Sequence, residues 1–124
     1  MIVGSVEANG DAVVSLSVKG IRGRVIDVRA AVDTGFNGCL TLSQAEIASL
    51  GLSHWDTIRC VLADGSDTIS RVFTTEIHWL GQWRRAFIIE AEGGPLLGLE
   101  MLRGTFLGIE VTAGGRVEIR PLHS

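Results

Sequence analysis

The feature that most limits what this chain can fold into is a period of two, cut at short intervals by glycine-bearing turns. Apolar and polar residues alternate over residues 2–8 and 12–18, with Asn9-Gly10 between the runs. Asn-Gly between alternating segments is the strongest short-range hairpin signal, because both central positions of the tight turn need positive φ. Residues 24–32 give a third strand that starts with alternation and ends apolar on both faces, as a strand does on passing from the surface into a core. Residues 57–63 and 67–77 read as a long hairpin across Asp64-Gly65-Ser66. Gly81-Gln82 turns the chain into a strand over 83–91. A last hairpin pairs 105–112 with 116–121 across Ala113-Gly114-Gly115.

Helical signals are few and local. Ser43-Gln44-Ala45-Glu46 is a capping box, and Ile47, Leu50 and Gly51 complete a two-turn helix closed by a C-terminal glycine. Residues 100–103 allow a second short helix stopping at Gly104. No strand-helix-strand alternation appears, so the expected class is all-β: a closed barrel or sandwich of eight or nine strands with one or two short helices. Sixteen glycines suit many tight turns, and residues 1–124 read as a single domain without a linker.

Charge and composition exclude several function classes. Net charge is −3 and only Arg84-Arg85 are adjacent cations, so no nucleic-acid partner is expected. Apolar runs such as 86–89 and 95–99 are far shorter than a membrane span. The N-terminus lacks a basic region and a long apolar region, so it is not read as a signal peptide. Cys39 and Cys60 are expected as free thiols in a reducing, cytoplasmic setting. His54, His78 and His123 show no metal-ligand spacing, and no metal or other cofactor is expected. Trp55, Trp79 and Trp83 are assigned to packing rather than to a ligand cleft.

The chemistry concentrates in Ala31-Val32-Asp33-Thr34-Gly35. An apolar strand there ends in a carboxylate, followed by a hydroxyl and a glycine. By itself Asp-Thr-Gly is a turn tripeptide. Its setting adds a following strand at 39–42, the hairpin around Asp64, and the run Leu96-Leu97-Gly98 before a short helix.

Taken together, these segments resemble the retropepsin-like aspartic proteases, in particular their single-domain bacterial and archaeal members, over nearly the whole chain. The resemblance implies the closed acid-protease barrel. It also implies a catalytic motif at Asp33, Thr34 and Gly35, and a substrate-covering flap at Ala63, Asp64, Gly65 and Ser66. Leu96, Leu97 and Gly98 would support the active-site loop from behind. With one aspartate per chain, the active unit is a homodimer that hydrolyses a peptide or protein substrate with two Asp33 carboxylates. Phe36 departs from the small residue found after the glycine in retroviral and pepsin-like enzymes. That departure motivates the alternative expectation, a non-catalytic module of the same fold that binds a peptide or protein.

Overall fold

A computed structural model describes residues 1–61 and 64–123, without the side chain of Cys60. Its ten strands form one continuous sheet: β1 (Ile2–Val6), β2 (Ala12–Lys19), β3 (Val25–Val32), β4 (Leu40–Leu42), β5 (His54–Val61), β6 (Asp67–Trp79), β7 (Gln82–Glu90), β8 (Leu96–Leu97), β9 (Thr105–Ile109) and β10 (Arg116–Pro121). Two short helices interrupt them, α1 (Gln44–Leu50) and α2 (Leu99–Leu102). The described residues are thus mostly β, with two α-helices. Among the described residues no helix is long and apolar enough to cross a membrane.

Spatial order along the sheet is β5-β6-β7-β4-β8-β3-β2-β1-β10-β9. A further antiparallel contact, Val18 opposite Ile77, joins β2 to β6 and closes β6-β7-β4-β8-β3-β2 into a ring. Within the ring β8 runs parallel to β3 and β4 parallel to β7, while β4 and β8 are antiparallel. The ring interior follows from the alternation. On β2, Ala12, Val14, Leu16 and Val18 are buried, whereas Ser15 and its neighbours on the other face are not. Leu40, Leu42, Ile88, Leu97 and Met101 are fully enclosed, and each such side chain stabilises the fold by about 2 kcal/mol relative to exposure.

Local turn chemistry sets the corners. Asn9 Oδ1 accepts the Asp11 N–H at 2.9 Å, and β1 pairs with β2 through Ser5 opposite Val13. The Ser43 hydroxyl accepts the Glu46 N–H at 3.2 Å, and a Glu46 carboxylate oxygen accepts the Ser43 N–H at 2.9 Å. This completes the capping box of α1. Gly51 then ends the helix at φ 68°. Trp79 opposes Gln82, so the β6–β7 turn is centred on Leu80-Gly81, one residue earlier than Gly81-Gln82. β5 begins at His54 and β6 continues to Trp79, both beyond the alternating segments read from the sequence. A short 3-10 turn, Ile21–Gly23, links β2 to β3 with Arg22 at φ 56°.

Candidate active site

Strand β3 carries Asp33 out of the ring. Its last ladder bond is the Asp33 N–H donated to Leu97 O at 2.9 Å, after which the chain turns, with the Phe36 N–H donated to Asp33 O at 3.2 Å. The carboxylate is half-buried and bends over its own loop: Oδ1 accepts the Gly35 N–H at 2.9 Å. That bond uses one oxygen and leaves Oδ2 free to face another group. A Cβ on Gly35 would sit 3.2 Å from Asp33 Oδ1, so glycine here makes room for the carboxylate. Thr34 is exposed beside it.

Behind the loop lies β8. Ala31 pairs with Leu96 and Val32 with Leu97, so Leu96-Leu97-Gly98 runs alongside the strand that bears the aspartate. Three successive amides then meet the loop from below: Gly98 N–H donates to Cys39 O at 2.9 Å, Leu99 N–H to Phe36 O at 2.7 Å, and Glu100 N–H to Gly38 O at 3.2 Å. The first amides of a helix have no partner within the helix; in α2 the loop carbonyls supply them. The two motifs therefore form one clamp. Leu97 and Gly98 are buried, and Leu96 is half-buried.

The fit requires glycine at Gly98. A Cβ there would lie 2.1 Å from Gly38 O and 2.5 Å from Phe36 Cδ2. At Gly38 a Cβ would meet the same ring, with Phe36 Cζ at 2.5 Å. The Phe36 ring thus lies across two glycines, packed on the loop it belongs to. Sequence reading singled out Phe36 as a departure but not its seat, because that seat forms only when distant glycines converge.

Two further contacts were not read from sequence. The Thr41 hydroxyl, buried in the apolar strand β4, accepts the Leu96 N–H at 2.8 Å and fastens β8 to β4. Arg84 donates to Glu100 O at 3.1 Å and Met101 O at 3.2 Å, holding carbonyls of α2. A polar residue inside an apolar strand was the available signal for Thr41; Arg84 carried none.

The proposed flap is the β5–β6 hairpin. At its tip Asp64 Oδ1 accepts the Ser66 N–H at 2.9 Å and the Ser66 hydroxyl at 2.6 Å, while Gly65 adopts φ 86°. Those two hydrogen bonds hold the Asp64 carboxyl below its ordinary range. Asp64, Gly65 and Ser66 are exposed; Ala63 lies outside the described residues. Farther down the hairpin, Ile69 of β6 faces the same hollow as Phe36, Thr41 and Ile89, a space of about 520 Å³ with Glu90 and Glu92 at its margin. The structure therefore brings β6 and Phe36 of the Asp33 loop to one hollow, which Asp33 itself does not line.

Compared with known proteins, the chain matches no family model, no curated protein and no solved structure.

A second, apolar hollow of about 360 Å³ flanks the loop on the outer face of β5–β7, between Asn37, Trp55, Ile58 and Phe87. Trp55 is 60% exposed and Trp79 only 6%, so the tryptophans divide between surface and core. Cys39 is buried and free, and burial pushes its thiol up from the ordinary 9.0, opposed by a backbone hydrogen bond from Phe87. The Cys60 thiol lies outside the described residues. Among the described residues, no three His, Cys, Asp or Glu side chains group as a metal site would need.

Proposed function

We propose that this chain is an aspartic endopeptidase of the retropepsin-like type, its closed ring the acid-protease barrel, acting as a homodimer on an extended peptide. The observation that carries the reading is the clamp: a strand-end aspartate whose loop is held from behind by the amides of Gly98, Leu99 and Glu100. Such a clamp fixes the carboxylate on rigid elements, as a catalytic group requires. The hollow between Phe36 and Ile69 supports it, because an extended peptide lying there would run along β6 beside the loop that follows Asp33. Buried, unpaired Cys39 suits a reducing, cytoplasmic setting.

The mechanism needs two chains. Each supplies one Asp33 with one oxygen occupied by Gly35 and the other free. Brought together across a two-fold axis, two carboxylates cannot both ionise at close range and share one proton. The ionised member takes a proton from water as that water attacks the scissile carbonyl carbon. The protonated member hydrogen-bonds the carbonyl oxygen, and a proton passes to the leaving amine as the C–N bond breaks. No metal or other cofactor enters. Thr34, exposed next to Asp33, would bond across the axis.

The test is cleavage of a pool of unfolded peptides by the wild type and by Asp33→Asn. The wild type should cut and the variant should not, with identical circular dichroism. Equal cleavage by both would overturn the reading. The alternative, a non-catalytic peptide-binding module, rests on Phe36, whose ring carries no hydroxyl to orient the carboxylate. It predicts peptide binding that Asp33→Asn leaves unchanged.

A further inference from the structure

A hollow of about 360 Å³ lies where β5 begins, at the end of the β5–β6 hairpin away from Asp64-Gly65-Ser66. None of its lining residues belongs to the Asp33 loop or to β8. Its walls are preformed. Gly20 and Gly51 bring the turn after β2 against the end of α1: a Cβ on Gly20 would stand 2.5 Å from Leu50 O, and one on Gly51 2.6 Å from Ile21 Cδ1. The Thr75 hydroxyl donates to Lys19 O and ties β6 to the end of β2. Sites for small ligands are largely preformed in this way, and the volume suits one small molecule.

The charges around it do not balance. Lys19 pairs with Glu76 at 3.5 Å. Glu76 stands opposite Arg85 in the ladder, yet Arg85 makes only a hydrogen bond from Nη1 to Thr74 Oγ1, at 3.4 Å, and no ion pair among the described residues. Arg22 and Arg24, exposed on the turn that supplies Ile21, make none either. A chain of net charge −3 thus carries an excess of positive charge at this corner. Leaving His54 aside, the charged lining is Lys19 and Arg85 against Glu76, one negative charge short of neutral. Beside these charges stands Trp55. The register passes from His54 opposite Phe73 to Asp56 opposite Val72, so Trp55 is the extra residue of a bulge, a device that re-aims a side chain. Its ring meets Phe87 with centroids 5.4 Å apart, yet it stays 60% exposed between this hollow and the apolar one beside Phe87. Packing on Phe87 does not account for so open an indole.

We propose that this hollow binds a small aromatic carboxylate, its ring against Trp55 and its carboxylate on Arg85. The open indole sets the body of the ligand, because aromatic rings pack on one another in offset or tilted pairs. The Arg85 guanidinium sets the head, because its fork of N–H groups matches the two oxygens of a carboxylate. A monoanion supplies the one missing charge, whereas a phosphate dianion would exceed it. Glu76 is the internal competitor, since it faces Arg85 across the ladder. The site shares no lining residue with the Asp33 loop, so it stands whether or not Asp33 cuts peptides.

Titration with 2-naphthoate, followed by calorimetry and by NMR shifts of amide and indole N–H groups, tests the site. Saturable binding of one molecule per chain is expected, with the Trp55 indole and the Arg85 amide among the most shifted signals. 2-Naphthamide has the same shape without the charge and should bind roughly tenfold more weakly. Arg85→Gln should weaken naphthoate by a similar factor, and Trp55→Ala should weaken it several-fold. Glu76→Gln should strengthen binding, because it removes the competing carboxylate. Arg103→Gln, at an exposed cation paired with Glu100, should leave it unchanged. Binding that does not saturate, or naphthamide binding as tightly as naphthoate, overturns the proposal, and that comparison holds even if a variant fails to fold. Naphthoate affinity unchanged in both Arg85→Gln and Trp55→Ala overturns it as well.

Discussion

Replacing Gly98 by Ala tests the clamp most severely, since a single methyl group must enter the contact between the two motifs. Gly98 has φ −102°, a conformation open to alanine, so any cost is steric rather than conformational. The added Cβ would stand 2.1 Å from Gly38 O and 2.8 Å from Phe36 O, both backbone atoms that no rotamer change can move. Relief requires the loop to lift, which loosens the bonds from Gly98, Leu99 and Glu100 to Cys39, Phe36 and Gly38. Three such bonds at about 1 kcal/mol each, with an overpacking term of about 1–2, put the loss at about 4–5 kcal/mol. Unfolding entropy scales with length, and for 124 residues about 4 °C accompanies each kcal/mol, so Tm should fall by about 16–20 °C. Urea titration gives the free energy, and hydrogen exchange at Leu99 and Glu100 locates it. Phe36→Ala should not rescue the variant, because the nearest clash is with the Gly38 carbonyl rather than with the ring. For contrast, Gly104→Ala has φ +79° and nothing within 4 Å of the new Cβ, so it should cost only about 1 kcal/mol. A Gly98→Ala protein within about 0.5 kcal/mol of wild type would refute the clamp as drawn.

Two other outcomes follow from single observations. Ser43→Ala removes one bond of the capping box of α1 and should cost about 1 kcal/mol in urea titration. Glu46→Ala should add a further loss, since the Glu46 carboxylate accepts the backbone N–H of residue 43, which Ser43→Ala leaves in place. The Cys39 thiol, raised above the ordinary 9.0 by burial, holds its proton more tightly folded than unfolded. Its contribution to stability is therefore full below about pH 9 and is lost as pH rises through the higher folded-state value. Stability measured from pH 7 to 10.5 should fall more steeply in wild type than in Cys39→Ala, and parallel curves would count against a buried thiol.

What could be read from the sequence was local, for a physical reason. The Ser43–Glu46 box, Gly51 and Asp64-Gly65-Ser66 carry their instructions within a few residues, and each forms the turn or cap those residues favour. Asn9-Gly10 does mark a hairpin, but in a longer loop from Glu7 to Asp11 in which Gly10 and not Asn9 takes a positive φ. Leu80 at φ 49° had no such signal, since leucine rarely adopts a left-handed backbone; pairing of Trp79 with Gln82 imposes it. Arg22 in the 3-10 turn is a similar case. Partners across the ring were also hidden. Alternation tells which face of a strand is buried but not which strand lies beside it, so the parallel β3–β8 and β4–β7 pairs and the closing Val18–Ile77 contact appear only in the fold. At the site, Asp33 and Leu96-Leu97-Gly98 were visible as motifs, and their joining is a matter of these long-range pairs. The seat of Phe36 on Gly38 and Gly98 and the bond from Leu96 to Thr41 depend on them as well.

The central claim is that two chains build one site from two Asp33 carboxylates. Calorimetric titration with a peptide that carries a hydroxyl in place of the scissile carbonyl tests it directly, because the stoichiometry counts sites. The account predicts one peptide bound for every two chains, with binding lost in Asp33→Asn. One peptide per chain, or binding indifferent to Asp33→Asn, would contradict it.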